Sequence, residues 1–575
     1  MTYAAFVIYA ALGWLFFSTM RLVYAIPATL VLGFLMLPSR FAINFPIVPS
    51  LQKDTMPALL TLFLILLFYR KANPHDRLAV HREKRASFPE IVLDRWWPRG
   101  RGMQGLLLAM FLVPIGTFVF NRAPVSWGPV TLPGLTPYAT LSAIQAAIVT
   151  ALALFLGRRF LADEKGHRAL LLVLAIAGLI LSVPTLAEVR LSPQLHNIVY
   201  GYFPHSFAQH IRDGGFRPLV FMDHALELSL FLCLSSLAIV GYMRAIDGDK
   251  RILYFFAAAY MVVVVFLSKS FGMVLVASAL IPVLMFASAR WQLMCAALVA
   301  AIVLTYPAMR AVGASPLSGL VEVIEPIAAD RAGSLAYRLD AEVITFERAM
   351  EKPAFGWGGF GRAEIYDEDG DRLTARDGHW LITIGQDGLI GFYARYGLLC
   401  IPLLVLAWRS RRYEIGLATS GLCVLLAANI IDLVPNSGIT PVTWLVVGAL
   451  WGRIELGQAA QSTEEAPIQT GAPDAHSPTA RPARGAVTRP MPVARRGASA
   501  IPSPDTSDGP LVARLRRRPP GEASPEDPSD SDPARVPSRP SSRTDPASSI
   551  ASGRHTAAPV YSRFGTKRVR RPRTG

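Results

Sequence analysis

The side chains best suited to chemistry lie in one polar segment, about 310–387, which separates two apolar runs. Its first part has apolar residues at three-to-four spacing, which predicts an amphipathic helix that carries Arg338 and ends before Pro353. Glycines and aromatic residues then alternate over 355–361. Such a run lets the backbone approach a ligand closely, while the rings offer flat faces to a sugar or a lipid. The candidate residues that follow the helix are Trp357, Gly358, Gly359, Gly361, Arg362, Asp377, His379 and Trp380.

Two arginines and two possible proton acceptors are the residue types that suit group transfer to or from an anion. Arginine stays protonated, and its planar fork can bind phosphate oxygens with two hydrogen bonds at once. Arg338 and Arg217, which stands just before another apolar run, are therefore candidate anion-binding residues. Asp377 and His379 are candidate general bases.

Each of these residues also has a purely structural interpretation. Arg217 could anchor an apolar helix at the membrane interface. Arg338 could pair with an acid on its own helix, and Asp377 could serve the turn at Gly378. The acidic run YDEDGDR favours a turn over a calcium loop, because its glycine is misplaced and the final glutamate is missing.

Most of the chain up to residue 453 consists of apolar runs that would place these loops beside a membrane. Hydrophobic residues make up 52% of the chain and charged residues 17%, against roughly 45–50% and about 25% in soluble domains. Runs near the length that crosses a bilayer, about 20 residues, occur at 4–20, 22–38, 56–70, 104–121, 138–157, 168–186, 219–242, 252–268, 271–289, 292–309, 388–408, 413–433 and 439–453. We therefore expect residues 1–453 to form an all-α polytopic membrane domain with about 12–14 transmembrane helices and a large helical loop.

Positive charge is distributed unevenly between the two sides of these spans. The most basic loops are 70–101, 158–168, 244–251, 290 and 409–412. Alternation of the spans puts all of them on one side, and the positive-inside rule makes that side cytoplasmic. The two longer polar segments, 189–218 and about 310–387, then face outward.

The C-terminal residues 454–575 differ from the rest in composition. They hold 19 of the 44 prolines and have 19 Lys/Arg against 12 Asp/Glu, which is +7 of the net charge of +16. A segment so rich in Pro, Ser and Arg cannot bury enough apolar surface to offset its ordering entropy. We expect a disordered cytoplasmic tail that is attracted to anionic membrane lipid. Nucleic acid is not an expected partner, because aromatic residues do not interleave with the basic ones.

The motifs together resemble the O-antigen ligase and O-antigen polymerase-like family of bacterial membrane proteins. The resemblance rests on Arg338 ahead of the helix that ends in EKPAFGWGGFG, on the helix entry GQDGLIGFYARYGLL, on Arg217 in GFRPLVFMDH, on a Ser-rich turn at 268–272 and on the many flanking spans. It covers most of residues 200–450. The family has a histidine eleven residues before the first glycine of its G..G pair. Here that position, counted from Gly388, is Asp377, and His379 stands two residues later.

The resemblance implies a membrane glycosyltransferase of the bacterial inner membrane. It would move a glycan from an undecaprenyl-diphosphate carrier to an acceptor hydroxyl at the periplasmic face. It would act as a polymerase or as a ligase, with a glycan or a lipid A-core as acceptor. Arg217 and Arg338 would stabilise the diphosphate, and either Asp377 or His379 would be the base. The glycine-aromatic run, Arg362 and Trp380 would bind substrate. No metal or other cofactor is expected, because the lipid-diphosphate bond already supplies the energy.

A transporter or flippase for a lipid-linked sugar or polysaccharide is the alternative. It predicts internal repeats, broken helices and paired charges at mid-membrane. The sequence has no convincing repeat, and its conspicuous polar groups lie in loops.

Overall fold

The computed structural model describes residues 1–44, 50–69, 96–212, 214–315, 317–326, 328–373 and 377–464. All of them belong to one compact unit, Met1–Ala472. The basic segment 70–95 and the tail from residue 465 onward, with its predicted disorder, lie outside the described residues.

The described part of the chain is mostly helical. Its α-helices are α1 (Thr2–Thr19), α2 (Leu22–Met36), α3 (Met56–Tyr69), α4 (Arg101–Phe120), α5 (Pro137–Phe160), α6 (Glu164–Leu191), α7 (Leu195–Tyr200), α8 (Ala225–Ala245), α9 (Lys250–Leu267), α10 (Phe271–Phe286), α11 (Ala289–Ala311), α12 (Ser318–Ile324), α13 (Ala329–Met350), α14 (His379–Trp408), α15 (Leu417–Asp432) and α16 (Pro441–Glu464). Three small antiparallel hairpins are formed by β1 (Ala42–Ile43) with β2 (Leu51–Gln52), β3 (Val125–Trp127) with β4 (Val130–Leu132), and β5 (Ile211–Arg212) with β6 (Gly215–Phe216).

Each apolar run of the sequence coincides with one of these helices. Within the described ranges, eight helices are long and apolar enough to cross a membrane, namely α1, α4, α5, α6, α8, α9, α11 and α14. Four further apolar helices, α2, α3, α10 and α15, have only 14 to 16 residues, against the range of about 17–25 expected of a spanning helix. The predicted all-α class with many apolar helices is confirmed. Among the described residues, the eight helices that are both long and apolar enough to cross a membrane are fewer than the 12–14 that the sequence predicts.

Contacts between distant loops define one end of the helical bundle. Lys53 is buried there, and its Nζ donates to the Phe221 carbonyl at 2.8 Å. The described residues of the long polar segments 189–218 and 312–378 lie at this end, which we call the loop end. Neither is a structureless connection: the first contains α7 and the β5–β6 hairpin, and the second contains α12 and α13.

The opposite end, which we call the basic end, contains a buried ion pair that joins α5 to α16. Arg158 Nη2 and Glu455 Oε2 lie 2.5 Å apart, and the two side chains are 0% and 4% exposed. Since α16 continues to Glu464, the predicted domain boundary after residue 453 falls inside this helix. Removing one partner of a buried pair costs about 3–5 kcal/mol, so this ion pair ties the last described helix to the bundle.

Two truncations are expected to behave differently. A chain cut after Ala472 keeps the whole compact unit and is expected to fold. A chain cut before Glu455 removes the carboxylate that pairs with the buried Arg158 guanidinium and is expected to lose the folded protein. Size-exclusion profiles in detergent measure both outcomes. A second truncation that gives the same monodisperse profile as the first would contradict the role of the ion pair.

Candidate functional site

The glycine-aromatic run and the start of α14 form one structural unit. α14 is interrupted at Gly388, where φ is 69° and ψ is −172°, a conformation that essentially only glycine adopts. The loop that precedes α14 fills the interruption. The N–H groups of Trp357 and Gly358 donate to two carbonyls before the break, at 2.8 and 2.9 Å, and the Leu389 N–H donates to the Pro353 carbonyl at 2.7 Å. Backbone hydrogen bonds therefore join the glycine-aromatic run to the helix entry GQDGLIGFYARYGLL.

Arg362 fixes the far side of this loop. The residue is 1% exposed, and its Nε and Nη2 donate to the carbonyls of Trp357 at 3.0 Å and Ala123 at 2.9 Å. Its Nη1 donates to the carbonyl of Pro133, and Gly361 just before it turns the chain with a φ of 77°. Because the side chain is buried and each of its three nitrogens donates to a backbone carbonyl, Arg362 positions the loop, while its predicted contact with substrate stays a prediction.

The two tryptophans predicted to bind substrate are packed inside the protein. The guanidinium of Arg348 lies 3.3 Å from the Trp357 ring centroid, and the indole N–H donates to the Arg348 carbonyl at 2.9 Å. Trp380 is 1% exposed and lies between Tyr306 and Phe346, with ring centroids 4.9 and 5.8 Å away. Both rings therefore hold neighbouring elements together rather than presenting an open face.

A cavity of about 430 Å³ lies beside the loop, lined by residues of α4, α5, α14 and α16. Three predicted residues, Gly358, Gly359 and His379, line it. His379 is held in place by its Nδ1, which lies 3.1 Å from the Tyr396 hydroxyl. Among the described residues only this ring nitrogen of His379 has hydrogen-bond partners, so Nε2 is the nitrogen available to a ligand.

Asp387 and Arg395 also line the cavity, and neither is among the predicted site residues. Arg395 Nη1 lies 3.0 Å from Asp387 Oδ2, and the side chains are 28% and 18% exposed. Both belong to α14, a candidate membrane span. An ionisable residue inside an apolar span is a functional candidate by default, and this was the available signal in the sequence.

A cluster of three histidines lies at the loop end. The ring centroids of His205 and His210 are 4.7 and 5.6 Å from that of His224, and we call these three residues the imidazole cluster. The His210 Nδ1 donates to the Ser206 carbonyl at 3.0 Å, which leaves its Nε2 as an acceptor that is buried without a hydrogen bond among the described residues. The backbone N–H of Arg217 donates to the backbone carbonyl of His210 at 2.8 Å, so this predicted arginine adjoins the cluster.

The charges of the two predicted arginines both act on this cluster. Burial first, and then the charges of the neighbouring imidazoles and of Arg217 and Arg338, lower the pKa of His224 to about 3. His224 Nδ1 accepts the Leu226 N–H at 3.1 Å, as a neutral imidazole can. The arrangement therefore combines two permanent cations with neutral hydrogen-bonding rings, which suits an anion.

Arg338 pairs across the loop end with Asp377. Arg338 Nε and Asp377 Oδ2 lie 3.1 Å apart, with side chains 35% and 43% exposed, whereas Glu342 on the same helix pairs with Arg310 at 2.7 Å. Two residues later, the His379 N–H donates to two carbonyls of the α15–α16 turn at 3.1 and 2.9 Å. The short segment 377–379 thus places one candidate base against an arginine and the other at the cavity.

The acidic run forms the predicted turn. Asp367 Oδ1 accepts the N–H groups of Asp369 at 3.1 Å and Asp371 at 2.8 Å. Throughout the described ranges, no group of three or more His, Cys, Asp or Glu side chains is arranged to hold a metal ion. The three rings of the imidazole cluster therefore serve as hydrogen-bonding groups.

Comparison with known proteins adds no family to these observations. No protein-family model matches the chain, and no curated protein matches it. The resemblance therefore rests on the sequence motifs alone.

Proposed function

We propose that the protein is a membrane glycosyltransferase of the polymerase or ligase type, which transfers a glycan from a polyprenyl-diphosphate carrier to an acceptor hydroxyl. The observation that carries the proposal is the imidazole cluster, with Arg217 bonded to His210 through the backbone and with the charges of Arg217 and Arg338 both acting on His224. Two guanidinium groups that stay charged at any physiological pH are well suited to the oxygens of a diphosphate. The neutral imidazoles beside them supply further hydrogen bonds without adding charge that would have to be desolvated.

The transfer itself would need little beyond this arrangement. The acceptor oxygen attacks the anomeric carbon, the bond from that carbon to the diphosphate oxygen breaks, and the acceptor proton passes to a base. The arginines stabilise the negative charge that develops on the leaving diphosphate. The Asp377 carboxylate is already occupied by Arg338, whereas His379 lines the cavity, and this difference supports His379 as the base.

The distribution of basic residues supports an orientation for the proposed enzyme. The basic end carries Arg158, Arg159, Lys165, Arg244, Lys250, Arg251, Arg290, Arg409, Arg411 and Arg412. By the positive-inside rule this end faces the cytoplasm, and the loop end with both sites faces the periplasm of a bacterial inner membrane. A count of twelve to fourteen spans requires the short helices to cross as well, which local thinning of the bilayer permits.

Lipid-linked intermediates in a strain that lacks the protein test the proposal. Accumulation of single carrier-linked repeat units on the periplasmic side is expected of a lost polymerase. Accumulation of long carrier-linked chains that never reach their acceptor is expected of a lost ligase. Intermediates confined to the cytoplasmic leaflet, with none exposed outside, would contradict both.

That last outcome would support a second candidate, a transporter or flippase for a lipid-linked sugar. Two observations favour it: α14 is broken at Gly388, and Asp387 pairs with Arg395 within the same apolar helix. Broken helices of transporters use their free N–H groups to bind substrate. Here the N–H groups of Leu389 and Ile390 after the break donate to carbonyls of the preceding loop, and this supports the glycosyltransferase instead.

A further inference from the structure

We infer that the cavity lined by α4, α5, α14 and α16 binds a sugar residue of the acceptor glycan. Its volume of about 430 Å³ lies within the range of roughly 300–1,000 Å³ typical of small-molecule sites. Eight of its twenty lining residues have polar side chains, a mixed lining that suits a ligand with both hydroxyl groups and apolar faces. The assignment of the cavity to the acceptor rests on the proposed function, whereas the binding of a sugar rests on the cavity alone.

The Asp387–Arg395 pair is the recognition element of this site. A sugar hydroxyl both donates and accepts hydrogen bonds, and an aspartate beside an arginine, 3.0 Å apart, offers an acceptor and a donor to adjacent hydroxyls. A lipid acyl chain in the same place would cover both charged groups and provide no hydrogen bond, which is costly. The pair therefore selects against the hydrocarbon that surrounds the span.

An aromatic side chain completes the site. Phe360 lines the cavity and is 75% exposed, whereas Trp444 in the same wall is 4% exposed and packed into the protein. An exposed ring face such as that of Phe360 can pack against the apolar C–H face of a sugar. Phe360 also has a φ of 60°, which is unusual for an aromatic residue and is typically found where the surrounding structure forces it, often at functional sites.

The base of the proposed reaction lies in the wall of the same cavity. His379 lines it with Gln386 and Asp387, and Asp377 just before His379 pairs with Arg338 of the anion site. A sugar hydroxyl bound by the cavity can therefore be deprotonated by His379 Nε2, while the donor diphosphate lies at the arginines. The cavity thus corresponds to the acceptor and the imidazole cluster to the donor.

Photo-crosslinking in the cells of origin tests the inference. The photoreactive amino acid p-benzoylphenylalanine replaces Phe360 in one variant and Phe120 in the control. Both residues are exposed aromatics, 75% and 64%, but Phe120 is outside the cavity lining. After irradiation, the purified protein is analysed for periodate-reactive glycan and by mass spectrometry, before and after mild acid, which cleaves the sugar-diphosphate bond.

The expected result is a glycan adduct at position 360, with none at position 120. Its mass does not change in mild acid if the acceptor is the lipid A-core of a ligase, and it loses a polyprenyl diphosphate if the acceptor is the carrier-linked glycan of a polymerase. Asp387→Asn in the Phe360 variant is expected to reduce this adduct roughly tenfold, because a charge-assisted hydrogen bond is lost. An adduct that is lost when Arg338 is also replaced with alanine would overturn the assignment to the acceptor, because only the donor diphosphate is proposed to lie at the arginines. An adduct that contains only phospholipid, or no adduct at all, would overturn the sugar site.

The two proposals can fail separately. A phospholipid adduct at position 360, together with carrier-linked intermediates exposed on the periplasmic side of the deletion strain, rejects the sugar site and leaves the glycosyltransferase standing. A glycan adduct, together with intermediates confined to the cytoplasmic leaflet, keeps the sugar site and rejects the transferase.

Discussion

Replacing Arg338 with alanine is expected to abolish surface polysaccharide assembly while the protein remains folded and inserted. The pair with Asp377 is more than a third exposed at both partners, and exposed ion pairs contribute only about 0–1 kcal/mol to stability. The effect on turnover is expected to be much larger, because the guanidinium charge would stabilise the leaving diphosphate. Loss of one group that stabilises a developing oxyanion typically reduces turnover by about 10²–10³-fold.

The amount and length distribution of polysaccharide on complemented cells measure this effect, with membrane levels of the protein determined in parallel. Arg372→Ala is the matched control, because Arg372 lies in the same loop region and pairs with Glu364 at 2.7 Å while its own side chain is 68% exposed. It is expected to assemble polysaccharide normally. Product of normal amount and length from Arg338→Ala would refute the role of this arginine.

Replacing Gly388 with alanine is expected to prevent α14 and its preceding loop from packing together. A Cβ at this position would lie 2.3 Å from the Ala354 carbonyl oxygen and 2.6 Å from the Phe355 nitrogen, and the φ of 69° is itself unfavourable for alanine. Both atoms are backbone, so relief requires the loop to move. We expect a loss of about 3 kcal/mol or more in the free energy of unfolding.

Gly359→Ala is the control for this effect. A Cβ at Gly359 would meet no atom within 4 Å, although the residue belongs to the same loop. Thermal unfolding of the two variants in detergent, followed by the loss of the monodisperse size-exclusion peak, compares them directly. Equal midpoints would contradict the role assigned to the break in α14.

Local patterns in the sequence predict the helices well for a physical reason. A run of some twenty apolar residues cannot leave its backbone unsatisfied in hydrocarbon, so it becomes a helix wherever its neighbours lie. The amphipathic spacing around Arg338 and the stop at Pro353 likewise predict α13, which spans Ala329–Met350. Helix lengths are less predictable, as the 14 to 16 residues of the shorter helices illustrate.

Residue types alone do not predict which side chains stay accessible. Trp357, Arg362 and Trp380 have the chemistry of ligand contacts, yet each is buried against partners from elsewhere in the chain. Asp387 and Arg395 look like isolated charges in an apolar run, yet they form a pair at a cavity. On an unbroken helix, two residues eight positions apart lie about 12 Å apart along the axis. The break at Gly388 lies between Asp387 and Arg395.

The sequence by itself determined the all-α class with its many apolar helices, the acidic turn and the residue types from which a site can be built, because these depend on neighbours in the chain. Only the tertiary structure decided that the charges of Arg217 and Arg338 act on one cluster of three histidines and that Asp377 faces an arginine while His379 faces a cavity. Such convergence depends on how helices pack and on a glycine that breaks one of them. Both are properties of contacts between distant segments, which no local pattern contains.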